Sequence, residues 1–115
     1  MEREELKIIK IGLDIDKTLN IEPTHKKILR YKNLIERYVV YTSAGGNGLH
    51  FELYLRRPVN IRQSFDIREN LGDDAKRLTF SKADFHRGWD FDILFTYKKI
   101  NGVWKRRKYL DEVIL

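Results

Sequence analysis

The chain has no cysteine, which excludes disulfides, thiolate metal sites and a cysteine nucleophile. Proline is scarce: only Pro23 and Pro58 occur, each at the boundary of a patterned segment. No apolar run approaches the ~20 residues that span a bilayer. Met1-Glu2-Arg3-Glu4-Glu5 lacks the apolar stretch of a signal peptide. These absences lead us to expect a cytoplasmic protein with no membrane partner. No repeat, low-complexity tract or linker interrupts the 115 residues, so a single domain over 1–115 is expected.

What is present is charge and short-range periodicity. A net charge of +6 favours a polyanionic partner, nucleic acid or nucleotide. Leu6–Leu13 is rich in β-branched residues and reads as a strand. Pro23 starts a helix, and Ile28, Tyr31, Leu34, Ile35 and Tyr38 continue it at three- and four-residue steps. Two strands follow, Tyr38–Tyr41 and Leu49–Leu55. Ile61, Phe65, Ile67 and Leu71 predict a second helix stopped by Gly72, and Lys76–Ser81 a short fourth strand. Phe91–Tyr97 and Val103–Tyr109 read as a β-hairpin around Asn101-Gly102, the preferred type I′ pair. The order β-α-β-β-α-β predicts an α+β fold. It is an RRM-like or ferredoxin-like split βαβ antiparallel sheet with two helices and a C-terminal hairpin. Both helices then lie on one face and leave the other open.

The chemistry-bearing residues fall where that open face would be. Asp14 and Asp16 sit at alternate strand positions and so point the same way. Paired carboxylates need a compensating cation, and hard oxygen donors suit Mg²⁺ or Mn²⁺. Between the next two strands lies Ser43-Ala44-Gly45-Gly46-Asn47-Gly48-Leu49-His50. Gly45, Gly46 and Gly48 permit close backbone approach to an anion, with Ser43 and His50 bracketing them. The bland alternative is a hairpin connection in which the glycines only supply turn geometry. Arg62, Arg68, Lys76 and Arg77 form a basic cluster that reads as a solvated face, with Arg77 the candidate for a phosphate. Asp73-Asp74 follow a predicted helix and read as its stop. Trp104-Lys105-Arg106-Arg107-Lys108 interleaves an aromatic with basic residues, either for nucleic acid or as edge-strand protection.

Taken together, Gly12-Leu13-Asp14-Ile15-Asp16 and the Ser43–His50 segment resemble the catalytic core of the archaeo-eukaryotic primase superfamily, over roughly residues 7 to 97. The resemblance implies an RRM-like catalytic sheet and primer synthesis or extension in DNA replication. It implies that Asp14 and Asp16 hold Mg²⁺ or Mn²⁺, and that Ser43, the loop glycines and His50 bind a nucleoside triphosphate. It also implies a third acid on a later strand. The matching position falls near Ser81, so Asp84 is expected to substitute, with Asp92 the alternative. A helicase or other replication protein is an implied partner.

Two other readings stand beside it. One is a non-enzymatic RRM-like nucleic-acid-binding module. The other is a haloacid dehalogenase-like phosphatase, which Asp14-Ile15-Asp16-Lys17-Thr18-Leu19 also resembles. That fold needs parallel strands joined by crossover helices, which 115 residues hardly accommodate.

Overall fold

The structure is a computed structural model, and it describes residues 6–88, 90–92, 94 and 97–115. Among these the elements are β1 (Ile8–Ile15), α1 (Glu22–Leu29), β2 (Ile35–Thr42), β3 (Leu49–Val59), α2 (Ile61–Asn70), α3 (Ala75–His86), β4 (Tyr97–Ile100), β5 (Val103–Arg106) and β6 (Tyr109–Ile114). The main sheet has the order β1-β3-β2-β6, and β4 and β5 form a separate two-stranded sheet. Every pairing is antiparallel. The fold is α+β, compatible with a ferredoxin-like split βαβ arrangement. An all-antiparallel sheet offers no parallel βαβ unit of the kind the phosphatase reading requires.

Strand alternation sorts the sheet into two faces. Ile11 and Leu13 of β1, Tyr38 and Val40 of β2, and Leu49, Phe51 and Leu53 of β3 are all buried in one core with Ile28, Ile67 and Leu71 of the helical layer. The intervening residues point to the opposite face. There Asp14 is paired with His50, Gly12 with Glu52 and Lys10 with Tyr54. A second apolar cluster, Ile61, Phe65, Leu78 and Phe85, joins α2 to α3.

Four local expectations are corrected. Lys76–Ser81 is not a strand but lies within α3, because Asp74 accepts the Arg77 N–H as N-cap and Leu78, Ser81 and Phe85 are buried at helical spacing. The helical layer therefore has three members rather than two. The first helix ends at Leu29, and Ile35 and Tyr38 belong to β2, where Tyr38 packs into the core. Their three-residue spacing fits a helix, and a register shift between Ile35 and Arg37 is what brings both to the buried face of a strand. The hairpin turns at Asn101 (φ 51°) and Gly102 (φ 80°), as a type I′ pair must, but its strands are Tyr97–Ile100 and Val103–Arg106. Of the predicted strand Phe91–Tyr97, Ile93, Phe95 and Thr96 lie outside the described residues. Phe91, Asp92 and Leu94 are not in strand. Tyr109 does not end the hairpin: it opens β6, which pairs with β2.

β1 is the sheet's edge, yet the outward backbone groups of Gly12 and Asp14 are satisfied. The Gly12 N–H donates to Asp92 Oδ2 (2.9 Å), and Gly12 O accepts from Arg77 Nη1 (3.1 Å). The Asp14 N–H donates to Asp73 Oδ1 (2.8 Å), and Asp14 O accepts from the Asp74 N–H (2.9 Å). Three side chains and the Asp74 backbone thus do here what a fifth strand would do along Gly12–Asp14. The arrangement needs glycine at position 12. A Cβ there would lie 2.6 Å from Asp92 Oδ1 and 2.9 Å from Leu94 Cδ1. No helix among the described residues is long and apolar enough to cross a membrane.

Candidate active site

Asp14 on β1 and His50 on β3 are cross-strand partners on the open face. His50 Nε2 lies 3.6 Å from Asp14 Oδ1, too far for a hydrogen bond. Asp14 Oδ1 and His50 Nδ1 are both buried without a hydrogen-bond partner. Buried polar atoms are seldom left unsatisfied, which makes this pair the candidate place for a polar ligand group. Both residues line a cleft of about 560 Å³ with Asp16, Asp74, Lys76, Arg77, Phe80, Asp84 and Lys98.

The electrostatics follow from crowding. Burial, and then the carboxylate of Asp16, push Asp14 up to about 6, with Asp73 and Asp74 adding in the same direction. Asp16 is pushed up chiefly by its hydrogen bond with Asp74, while Asp74 is held low, first by the Arg77 backbone N–H. Burial, and then the Arg107 and Arg77 guanidiniums, lower His50 to about 4, so its ring is neutral at pH 7.

A pH signature results. Between about pH 4 and 6 the folded chain keeps a proton on Asp14 that the unfolded chain has lost, so this residue costs stability as pH rises. His50 works in the opposite sense. Between about pH 4 and 6.5 the unfolded chain binds a proton that the folded ring does not, so stability rises with pH. Each effect is at most about 3 kcal/mol before solvent screening reduces it, and the two nearly cancel. Asp14→Asn is expected to leave a net gain in stability from pH 4 to 6.5, and His50→Gln a net loss, in urea denaturation at stepped pH. Two variant profiles parallel to that of the unaltered chain would refute the assignment.

The structure brings Asp14, Asp16, His50, Arg77 and Asp84 to the cleft, and the Ser43–Gly48 loop lies beside it, a Cβ on Gly48 coming 3.6 Å from Asp16 Cα. Ser43 Oγ accepts the Gly48 N–H (3.1 Å), and the Ser43 N–H donates to Gly48 O (2.8 Å). The serine therefore closes its own loop. A Cβ on Gly48 would lie 2.8 Å from Ile15 O, so this glycine lets the start of β3 approach the end of β1. Ser43, Gly45, Gly46 and Gly48 are not among the described residues that line the cleft. Arg77 is already committed: it donates to Asp73 Oδ2 (2.7 Å) and is hydrogen-bonded to Asp92. Asp92 is thereby occupied with Arg77 and the Gly12 N–H. Asp84 sits 3.7 Å from Arg87 Nη1.

The basic strip divides in the same way. Trp104 is 67% exposed on β5, whereas the Arg107 guanidinium stacks 3.8 Å from the Tyr41 ring centroid and donates to Glu52 Oε1 (2.6 Å). Burial pushes the Glu52 carboxyl up, but the bonds from Arg107 and Tyr54 outweigh it and hold the group low.

Sequence reasoning missed Asp73 and Asp74. Asp73 is fully buried, its Oδ2 2.7 Å from Arg68 Nε, while Asp74 faces Asp16. The usable signal was Asp74 three residues before Arg77 at the head of a run of helix formers, an N-cap pattern. Phe80 and Lys98 were also missed as lining residues.

Uncharacterized protein 30 of Sulfolobus islandicus filamentous virus (isolate Iceland/Hveragerdi) is 33% identical to this chain over 61 residues. The match covers 50% of this chain and 23% of the viral protein, so the chain spans about a quarter of that protein's length. No protein-family model matches the chain, and no solved structure matches it significantly.

Proposed function

We propose that this chain is a divalent-metal-dependent nucleotidyltransferase core of the primase-polymerase type, taking a nucleoside triphosphate as substrate and extending nucleic acid. The observation that carries the reading is the cross-strand pair Asp14–His50. Each has a buried atom without a partner, and the pair stands in one cleft with the Asp16–Asp74 acid pair and Lys98.

The donor chemistry suits Mg²⁺ or Mn²⁺. Asp14 has an unsatisfied buried oxygen, and Asp16 and Asp74 draw close enough to hydrogen-bond, at a cost that a cation relieves. Among the described residues no group of three or more such side chains stands placed to hold a metal ion. Asp14, Asp16 and Asp74, which line one cleft, are the residues that would have to draw together to hold it. A bound ion would lower the pKa of the attacking hydroxyl and neutralise the departing pyrophosphate. The neutral His50 ring can donate one N–H to a phosphate oxygen, and Lys98 supplies a positive charge in the same cleft. Phe80, 62% exposed in the cleft wall, offers a flat apolar surface to a base.

Calorimetry with Mn²⁺ and a nucleoside triphosphate tests this. His50→Ala is expected to weaken binding about tenfold or more, through loss of a charge-assisted hydrogen bond, with the fold intact. Unchanged affinity would remove His50 from the site and the reading with it. Metal and triphosphate binding without turnover would instead support a binding-only relative.

A further inference from the structure

The hairpin β4–β5 pairs Lys98 with Lys105, Lys99 with Trp104 and Ile100 with Val103. Residues directly opposite in an antiparallel pair share a face. One face therefore carries Lys98, Ile100, Val103 and Lys105, and the other Lys99, Trp104 and Arg106. On the first face only the Lys98–Ile100 arm meets the protein: Lys98 lines the cleft, and Ile100 Cδ1 would lie 3.5 Å from a Cβ on Gly45, while Val103 stays 54% exposed. The second is turned to solvent, where Trp104 is 67% exposed with Lys99 Nζ 5.9 Å from its ring centroid.

From the exposed Trp104 and the cations around it we infer that the hairpin is a binding platform for single-stranded nucleic acid, in which a base stacks on Trp104 while Lys99 takes a flanking phosphate. The inference rests on the proposed nucleotidyl-transfer reading for its purpose, but not for its chemistry. Between Tyr97 and Lys108 there are six cationic side chains and no carboxylate, which selects a polyanion. The exposed indole selects a polyanion with flat faces. Stacking tolerates any base, as a template-handling surface needs. A duplex hides its base faces and would engage only the cations. The inner face makes the placement functional, because Lys98 reaches the cleft from the same four-residue strand.

The sequence reading of a continuous strip from Trp104 to Lys108 is narrowed by this geometry. Lys99 joins the platform, and Arg107 leaves it for Glu52 and Tyr41.

Fluorescence anisotropy with a labelled dT12 strand, the matching duplex and heparin tests the platform. Trp104→Ala is expected to weaken single-strand binding about tenfold or more and heparin binding little, with Trp104→Phe intermediate. Lys99→Ala should lower the slope of log Kd against log salt by about 0.7. No loss in Trp104→Ala, or an equal loss for heparin, would overturn the proposal. Titration of the same variants with Mn²⁺ and nucleoside triphosphate separates the two readings. If triphosphate binds and Trp104 is irrelevant to dT12, the platform falls alone. If Trp104 governs dT12 binding and no triphosphate binds, the transferase reading falls alone.

Discussion

Asp73→Ala is expected to destabilise the chain by about 3–5 kcal/mol, the range for removing one partner of a buried ion pair. The Asp73 side chain is 0% exposed and that of Arg68 1%. Asp73 takes one bond from the Asp14 N–H, one from Arg68 Nε and one from Arg77 Nη1. Its loss strands the Arg68 guanidinium in the interior and opens the outer edge of β1. Arg68→Met is expected to cost a similar amount. That guanidinium also donates to Phe91 O (2.9 Å) and Ser81 Oγ (2.8 Å), tying α2 to α3 and to the segment after it. In the double variant the stranded charge is gone, so its cost should be well below the sum of the singles. Urea denaturation curves with equal slopes would measure all three. A loss under about 1 kcal/mol in either single variant would show the network to be dispensable. Because Asp73 also holds the backbone of Asp14, the variants that fold are expected to bind triphosphate more weakly.

In primer synthesis or extension assays, Asp14→Ala, Asp16→Ala and Asp74→Ala are each expected to reduce turnover by about 10³-fold or more. That corresponds to the several kcal/mol of transition-state charge stabilisation a bound metal supplies. Asp84→Ala should have a smaller effect. The sequence points to Asp84 or Asp92 as third acid, but Asp92 is held by Arg77 and the Gly12 N–H and Asp84 faces Arg87. Asp74 is the carboxylate that faces Asp16. Turnover that survives Asp14→Ala and Asp16→Ala would end the proposed mechanism. Full activity in Asp74→Ala with loss in Asp84→Ala would restore the assignment made from sequence.

The sequence alone determined what depends on near neighbours. Alternation in Leu49–Leu55 marks β3, and Asn101-Gly102 marks a turn because few other pairs accept positive φ at both positions. Gly72, at φ +86°, ends α2 for the same reason. The element order through α2 predicted the antiparallel sheet, and the sheet's two-residue period put Asp14 and His50 on one face. Tertiary structure decided whatever depends on distant partners. Ile35 and Tyr38 are spaced as in a helix until a register shift against β3 buries both in a strand, and Lys76–Ser81 reads as a strand until α2 covers Leu78. Arg107 resembles its basic neighbours until Glu52, 55 positions earlier, claims it. The acids divide in the same way: Asp73 becomes a buried strut and Asp74 a cleft carboxylate, though they are adjacent in the chain. No local pattern separates them, because what differs is which strand edge and which guanidinium each one meets.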